Sequence, residues 1–211
     1  MVLGLITGAL GVATGIVQSI AGALTAVGTA LTSVGGVIEN IGRGLGLISS
    51  VDNIESLGRH SKVAEEMGIR PDDFESFDDY VARIRDVDVD EIADTDKLEN
   101  KDEITKRGME LIMGLAVEKY GQQTMGKVGD IVVASPEKAD IIFSSKPVSD
   151  YVSEDKDHLA SVADYIKGNN QSDEVFDIIL KGLELSKPEL SDEERANFVN
   201  EIRDDFINRK Q

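Results

Sequence analysis

From Leu3 to Ile48 the apolar positions recur with a period of seven residues. The seam runs Leu3, Ile6, Leu10, Ala13, Val17, Ile20, Leu24, Val27, Leu31, Val34, Ile38, Ile41, Leu45 and Ile48, in alternating steps of four and three. That is the spacing of helices wound together in a left-handed supercoil. No seam position is polar, and the positions around it hold Gly, Ala, Thr and Ser where a soluble coiled coil would carry Glu and Lys. Glu39 and Arg43 are the only charges in residues 1–50. The pattern predicts either one helix of about 70 Å at 1.5 Å per residue or a helical hairpin broken at Gly28 or at Gly35-Gly36. Such a segment is not expected to stand alone in water; it belongs in lipid, inside a multi-helix assembly, or in each in turn.

A second stripe shares this helix. Gly4, Gly8, Gly11, Gly15 and Gly22 fall on another face, and Gly4/Gly8 and Gly11/Gly15 have the G-x-x-x-G spacing that lets helix backbones approach closely. Each interior glycine costs about 1 kcal/mol relative to alanine in a helix. Eleven glycines in the first fifty residues therefore call for tight packing or a membrane to compensate. The seam is expected to be the oligomerisation surface, and the stripe a second packing surface.

Beyond residue 50 the periodicity becomes that of ordinary amphipathic helices. Pro71 followed by Asp72 and Asp73 reads as a helix start, with Phe74, Phe77, Tyr80, Val81 and Ile84 on the buried side and an end near Val87. A further helix is expected from about Asp102 to Tyr120, burying Ile104, Leu111, Ile112, Leu115 and Val117 and stopping at Gly121. Residues 128–143 alone have strand character, and Pro136 leaves a hairpin or a short helix after Ser135 equally open. Later helices are expected from Asp155 to Lys167, from Ser172 through Leu183, and from a capping box at Ser191 and Glu194 through Phe198, Ile202 and Phe206. The expected fold class is mainly α: a long apolar heptad helix or hairpin, then an acidic helical domain with at most a small β element. Residues 1–50 form the apolar segment, 51–101 an acidic connector with one amphipathic helix, and 102–211 a soluble helical domain. The acidic portion is expected to fold without the first fifty residues.

Charge sharpens the division. The chain has 211 residues and a net charge of −18; its first fifty are neutral, so residues 51–211 carry all of that charge. A field of this sign repels phosphates and argues against nucleic-acid binding by the acidic domain. The absence of cysteine removes disulfides, thiolate zinc sites and cysteine nucleophiles. No Lys or Arg precedes the apolar run, which is also far longer than the core of a secretory signal. The first aromatic residue is Phe74, so the interfacial Trp and Tyr of a simple transmembrane anchor are missing from the segment.

Chemical motifs are sparse. Asp86, Asp88 and Asp90 have the spacing of an EF-hand loop, but Glu91 stands where glycine is needed and Lys97 where the bidentate acid belongs. His60 and His158 are far apart in polar surroundings, too few for a triad or a multi-histidine metal centre. Gly42-x-Gly44-x-Gly46 lacks the strand and helix of a dinucleotide fingerprint and reads as a helix end. No enzyme activity, cofactor or metal is expected.

A glycine-rich apolar helix followed by a soluble helical domain broadly resembles, in composition, phage pilot, ejection and tail-interior proteins and some pore-forming effectors. That resemblance implies an oligomeric, membrane-associated or virion protein. The expected partners are further copies of the chain or partner helices, and a lipid bilayer. The expected function is non-enzymatic assembly, with the N-terminal helix self-associating and able to insert into or cross a membrane. The alternatives are a structural component of a large assembly such as a phage baseplate or tail, without lipid contact, and a membrane-anchored adaptor.

Overall fold

Gly28 breaks the apolar run. Its φ of +84° is a conformation that costs glycine little and other residues more. Gly28 N–H donates to Thr25 O at 3.0 Å and Thr29 N–H to Leu24 O at 2.9 Å, which closes the helix end. The computed structural model describes residues 3–26, 28–89 and 100–208, with the side chains of 3–7, 205 and 208 set aside. The segment is thus two helices, α1 (Leu3–Ala26) and α2 (Leu31–Gly44). Gly35 and Gly36, the other break considered, lie inside α2.

The seam keeps its inward register across the break. Ala13, Val17, Ile20 and Leu24 of α1, and Val34, Ile38, Ile41, Leu45 and Ile48 in and after α2, are all buried. Leu10 and Leu31 are half-buried against the same core. Leu3 and Ile6 lie in α1 without described side chains, and Val27 lies outside the described residues.

Residues 51–101 supply more helix than periodicity suggests. α3 (Ile54–Glu66) starts from Asn53, whose side chain accepts from Ser56 N–H at 2.8 Å. Its buried face includes Gly58, Ser61 and Ala64, too small and too polar to register as an apolar stripe. Pro71 begins only a 3₁₀ turn, Pro71–Asp73. α4 (Phe77–Arg85) instead starts after Ser76, whose Oγ accepts from Asp79 N–H at 3.0 Å. The N–H groups of Phe77 and Asp78 donate to Glu118 at 2.7 and 3.3 Å, so two of the free donors at that helix end acquire partners from a distant element. Phe77, Tyr80, Val81 and Ile84 are buried as expected, while Phe74 falls before the helix and is half-buried.

α5 (Lys101–Tyr120) is the central element. It begins at Asn100, which accepts from Glu103 N–H at 3.2 Å, and ends at Gly121, φ +85°. It packs against α1, α2, α3, α4 and α6, and Ile104, Leu111, Ile112, Leu115 and Val117 are all buried. Two glycines permit the closest contact. A Cβ on Gly108 would overlap the Ile54 carbonyl oxygen, and one on Gly58 the Ile104 carbonyl oxygen, so α3 and α5 touch backbone to backbone.

Residues 128–143 resolve as helix. α6 (Gln122–Ala134) runs to Ser135, and α7 (Pro136–Phe143) opens with Pro136 in its first turn, where proline's missing N–H costs nothing. No strand occurs among the described residues. α8 (Lys146–Glu154), α9 (Asp157–Ile166), α10 (Asp173–Ser186) and α11 (Asp192–Asn208) complete the chain. Ser172 caps α10 by accepting from Val175 N–H at 3.3 Å. Ser191 and Glu194 form the expected reciprocal cap, with Ser191 N–H donating to Glu194 at 2.8 Å and Glu194 N–H to Ser191 Oγ at 3.3 Å.

The first fifty residues are part of this core. Ile20, Ile38, Ile41 and Leu45 meet Ile112, Met113, Met125 and Val132 of α5 and α6 around one small apolar void. Tyr120 Oη and Lys119 Nζ both donate to the Leu45 carbonyl at 3.2 Å. Glu39 accepts from Ile54 N–H at 2.7 Å and pairs with Arg43 at 2.6 Å, while Arg43 donates to Asp52 O at 2.7 Å. The only two charges of the segment thus fasten α2 to the start of α3. α1 and α2 cover apolar flanks of α5 and α6, so circular dichroism of a chain lacking residues 1–50 tests directly whether residues 51–211 fold by themselves.

Candidate functional site

α1 has two unlike faces. Inward, the seam fills the chain's own core and packs against α5 and α6. Outward, Gly8, Gly11, Gly15, Gln18, Ser19, Gly22 and Thr25 are exposed. A Cβ on Gly8, Gly11, Gly15 or Gly22 would meet no atom within 4 Å. These glycines are not needed for packing within the chain, unlike Gly58 and Gly108, and their helix cost is left without an internal return. Gly4 lies in α1 beyond the described side chains.

Beside the stripe runs a groove of about 900 Å³ between α1 and α6. Gly8, Gly11 and Gly15 form one wall and Gln122, Gln123 and Gly126 the other. Gly129 lies where α6 comes close to α1, 3.1 Å from Ile16 Cγ2 for an added Cβ. The one charged lining residue, Asp130, is paired with Lys167 at the C-terminal end of α9. The α6 wall was not foreseen, although Gly126 and Gly129, three residues apart, were the available signal for a second small-residue face.

Among the described residues, Gly8–Ala26 is the one helical stretch long and apolar enough to cross a bilayer by length and composition, and only 22% of it is buried. The helix presents a neutral surface in a chain whose remainder is strongly acidic.

The two histidines and Asp52 sit in structural surroundings. Burial pushes the His60 imidazole down from its ordinary value, against the opposing pull of Asp52. His158 Nδ1 lies 2.7 Å from Tyr151 O, with its ring stacked on Tyr151 at 3.8 Å. Burial raises the Asp52 carboxyl, but hydrogen bonds from Ser49 and the Arg85 guanidinium at 3.0 Å outweigh it, so Asp52 titrates below its usual range. No group of three His, Asp or Glu able to hold a metal occurs among the described residues. Asp86 and Asp88 of the candidate calcium loop are described, but Asp90, Glu91 and Lys97 lie outside the described residues.

A second depression of about 580 Å³, bounded by α1, α3, the 3₁₀ turn, α4 and α5, has Leu10, Ser61, Tyr80 and Glu110 in its lining. It places an ionisable group, Glu110, beneath α1, a residue that the helix periodicity did not single out. Comparison with known proteins finds no matching family model, curated sequence or solved structure. The functional reading therefore rests on α1, whose buried face holds it in place and whose neutral outer face is open.

Proposed function

We propose that this chain is a non-enzymatic assembly protein that acts through α1: the glycine face self-associates with α1 of further copies, and the helix can insert into or cross a membrane in a pilot, ejection or pore-like role. The observation that carries the reading is the 24-residue charge-free helix held at the surface of a chain with net charge −18. Copies of so acidic a protein repel one another over most orientations. A neutral face with G-x-x-x-G spacing is where that repulsion is weakest and backbone approach closest. Transfer to lipid is physically consistent for the seam as well, since hydrocarbon tails are as apolar as the leucines and isoleucines that α1 would leave.

The second reading, a component of a large assembly without lipid contact, is favoured by a specific fact: in water the seam already has its partner within the chain. Sedimentation and liposome flotation separate the two. Oligomers that also float with vesicles support the first, and oligomers that ignore vesicles support the second. Both readings share one expected outcome. Self-association should strengthen as salt rises from about 0.01 to 0.5 M, because the Debye length falls from about 30 Å to below 8 Å and screens the acidic surfaces, while the neutral contact is untouched. Association that weakens with salt would point to ion pairs and away from α1.

A further inference from the structure

The depression bounded by α1, α3, the 3₁₀ turn, α4 and α5 encloses about 580 Å³, a volume typical of small-molecule pockets. Leu10 of α1, Ile69, Pro71 and Leu111 supply apolar walls. Tyr80, whose ring centre lies 5.6 Å from those of Phe74 and Phe77, adds an aromatic one held in place by its neighbours. Most of the polar lining is engaged within the chain. Ser61 and Tyr80 are buried, and their hydroxyls hydrogen-bond each other. Arg107 pairs with Glu65 at 2.7 Å and with Glu103 at 3.3 Å, while Arg70 and Asp72 are exposed to solvent.

Glu110 is less well served. Its side chain is 19% exposed, so it is mostly withdrawn from bulk water yet reachable from the depression it lines. Thr14 of α1 gives it one hydroxyl hydrogen bond. Lys106 Nζ stands 4.0 Å away, an ion-pair separation too long for a hydrogen bond. A carboxylate has about four acceptor sites, and those left over are open to a donor that enters the depression. That donor is a cation, because a chain of net charge −18 attracts cations and repels anions, and the Arg107 charge is already offset by Glu65 and Glu103. A hard metal ion asks for several oxygen ligands, and no group of three acids or histidines able to hold one occurs among the described residues. A primary ammonium asks for less. It carries three N–H donors on a hydrocarbon stem, and the apolar walls match the stem as Glu110 matches the head.

We propose that this depression binds a primary alkylammonium group, with Glu110 as counter-ion and with Leu10, Ile69 and Leu111 packing the stem. The chemistry is the same for a free amine and for the end of a lysine side chain. The site is independent of the assembly reading, since it requires α1 only where the fold already places it. A bound amine touches α1 through Leu10 and so ties that helix to α3 and α5.

The experiment is isothermal titration of the full chain with n-butylammonium chloride at neutral pH and about 0.15 M salt, which screens the exposed acids. One saturable site per chain is expected, with n-butanol, the same stem without the charge, binding about tenfold more weakly. Glu110→Gln keeps the shape and removes the charge; it should weaken butylammonium binding roughly ten- to hundredfold, the worth of one hydrogen bond to a charged group. Asp102→Asn, at an exposed acid of the same helix outside the depression, should leave binding unchanged. Amide NMR shifts of the wild type, which require no variant, should change most at Ser61, Ile69, Tyr80 and Glu110. Nα-acetyl-lysine methylamide as a second titrant separates the sources: binding tighter than that of butylammonium assigns the site to a lysine of another protein, and weaker binding to a free amine. The absence of a saturable site, equal affinity in Glu110→Gln, butanol that binds as well as butylammonium, or shift changes scattered over the acidic surface would overturn the proposal.

Discussion

Gly108→Val should lower the melting temperature by on the order of 10 °C, whereas Gly15→Val should leave it nearly unchanged. The substitutions are chemically identical and both sites are in helices, so propensity predicts similar and small effects for each. Space decides between them. At Gly108 a side chain runs into the Ile54 carbonyl oxygen, and the two backbones must separate along α3 and α5; at Gly15 nothing lies within 4 Å. Overpacking a well-filled core costs about 1–3 kcal/mol and occasionally more, and each kcal/mol lowers Tm by roughly 2–4 °C in a chain of this size. Thermal melts followed by circular dichroism give the comparison, and equal losses at both sites would mean that the α3–α5 contact is not as close as described.

The second large effect belongs to the seam. Ile20 is 1% exposed and faces α2, α5 and α6. Ile20→Asp should cost about 3–5 kcal/mol, the penalty for an unpaired charge inside a core. Gln18→Asp, on the exposed side of the same helix, should stay within about 0.5 kcal/mol. Urea unfolding of the two variants measures the difference. If α1 undocks as a unit, Ile20→Asp will also give rapid hydrogen exchange across residues 8–26 before the rest of the chain unfolds. A stable Ile20→Asp variant would show that the seam is not a core face.

The same seam shows where sequence reasoning reaches and where it stops. Period seven identified the inward side of α1 and α2 at most of the described seam positions, because burial needs one apolar face whatever element lies opposite. It did not identify that opposite element, since a chain's own α5 and a second copy of α1 present the same hydrocarbon to Val17 or Leu24. Helix ends were legible where a side chain binds its own backbone, as at Ser172 and Ser191. The start assigned to Pro71 missed because Ser76 and the distant Glu118 together cap α4 better, and a contact between residues about forty apart leaves no local trace. α3 went unread for a related reason: Gly58 and Ala64 are buried for closeness to α5 and not for hydrophobicity. In the candidate site the stripe of Gly8, Gly11, Gly15 and Gly22 was visible in the sequence. The α6 wall and Glu110 were not, because only tertiary packing brings them under α1.

The central claim is that the outer face of α1 is an association surface. Its most direct test is sedimentation equilibrium of the wild type against Gly11→Glu with Gly15→Glu, at about 0.15 M salt and over a range of protein concentrations. The added carboxylates enter open space and raise helix propensity, so both proteins should melt alike. The wild type should form discrete oligomers, and the double variant, with two charges on the formerly neutral face, should remain a monomer. A wild type that stays monomeric throughout, or a double variant that assembles as well as the wild type, would contradict the account.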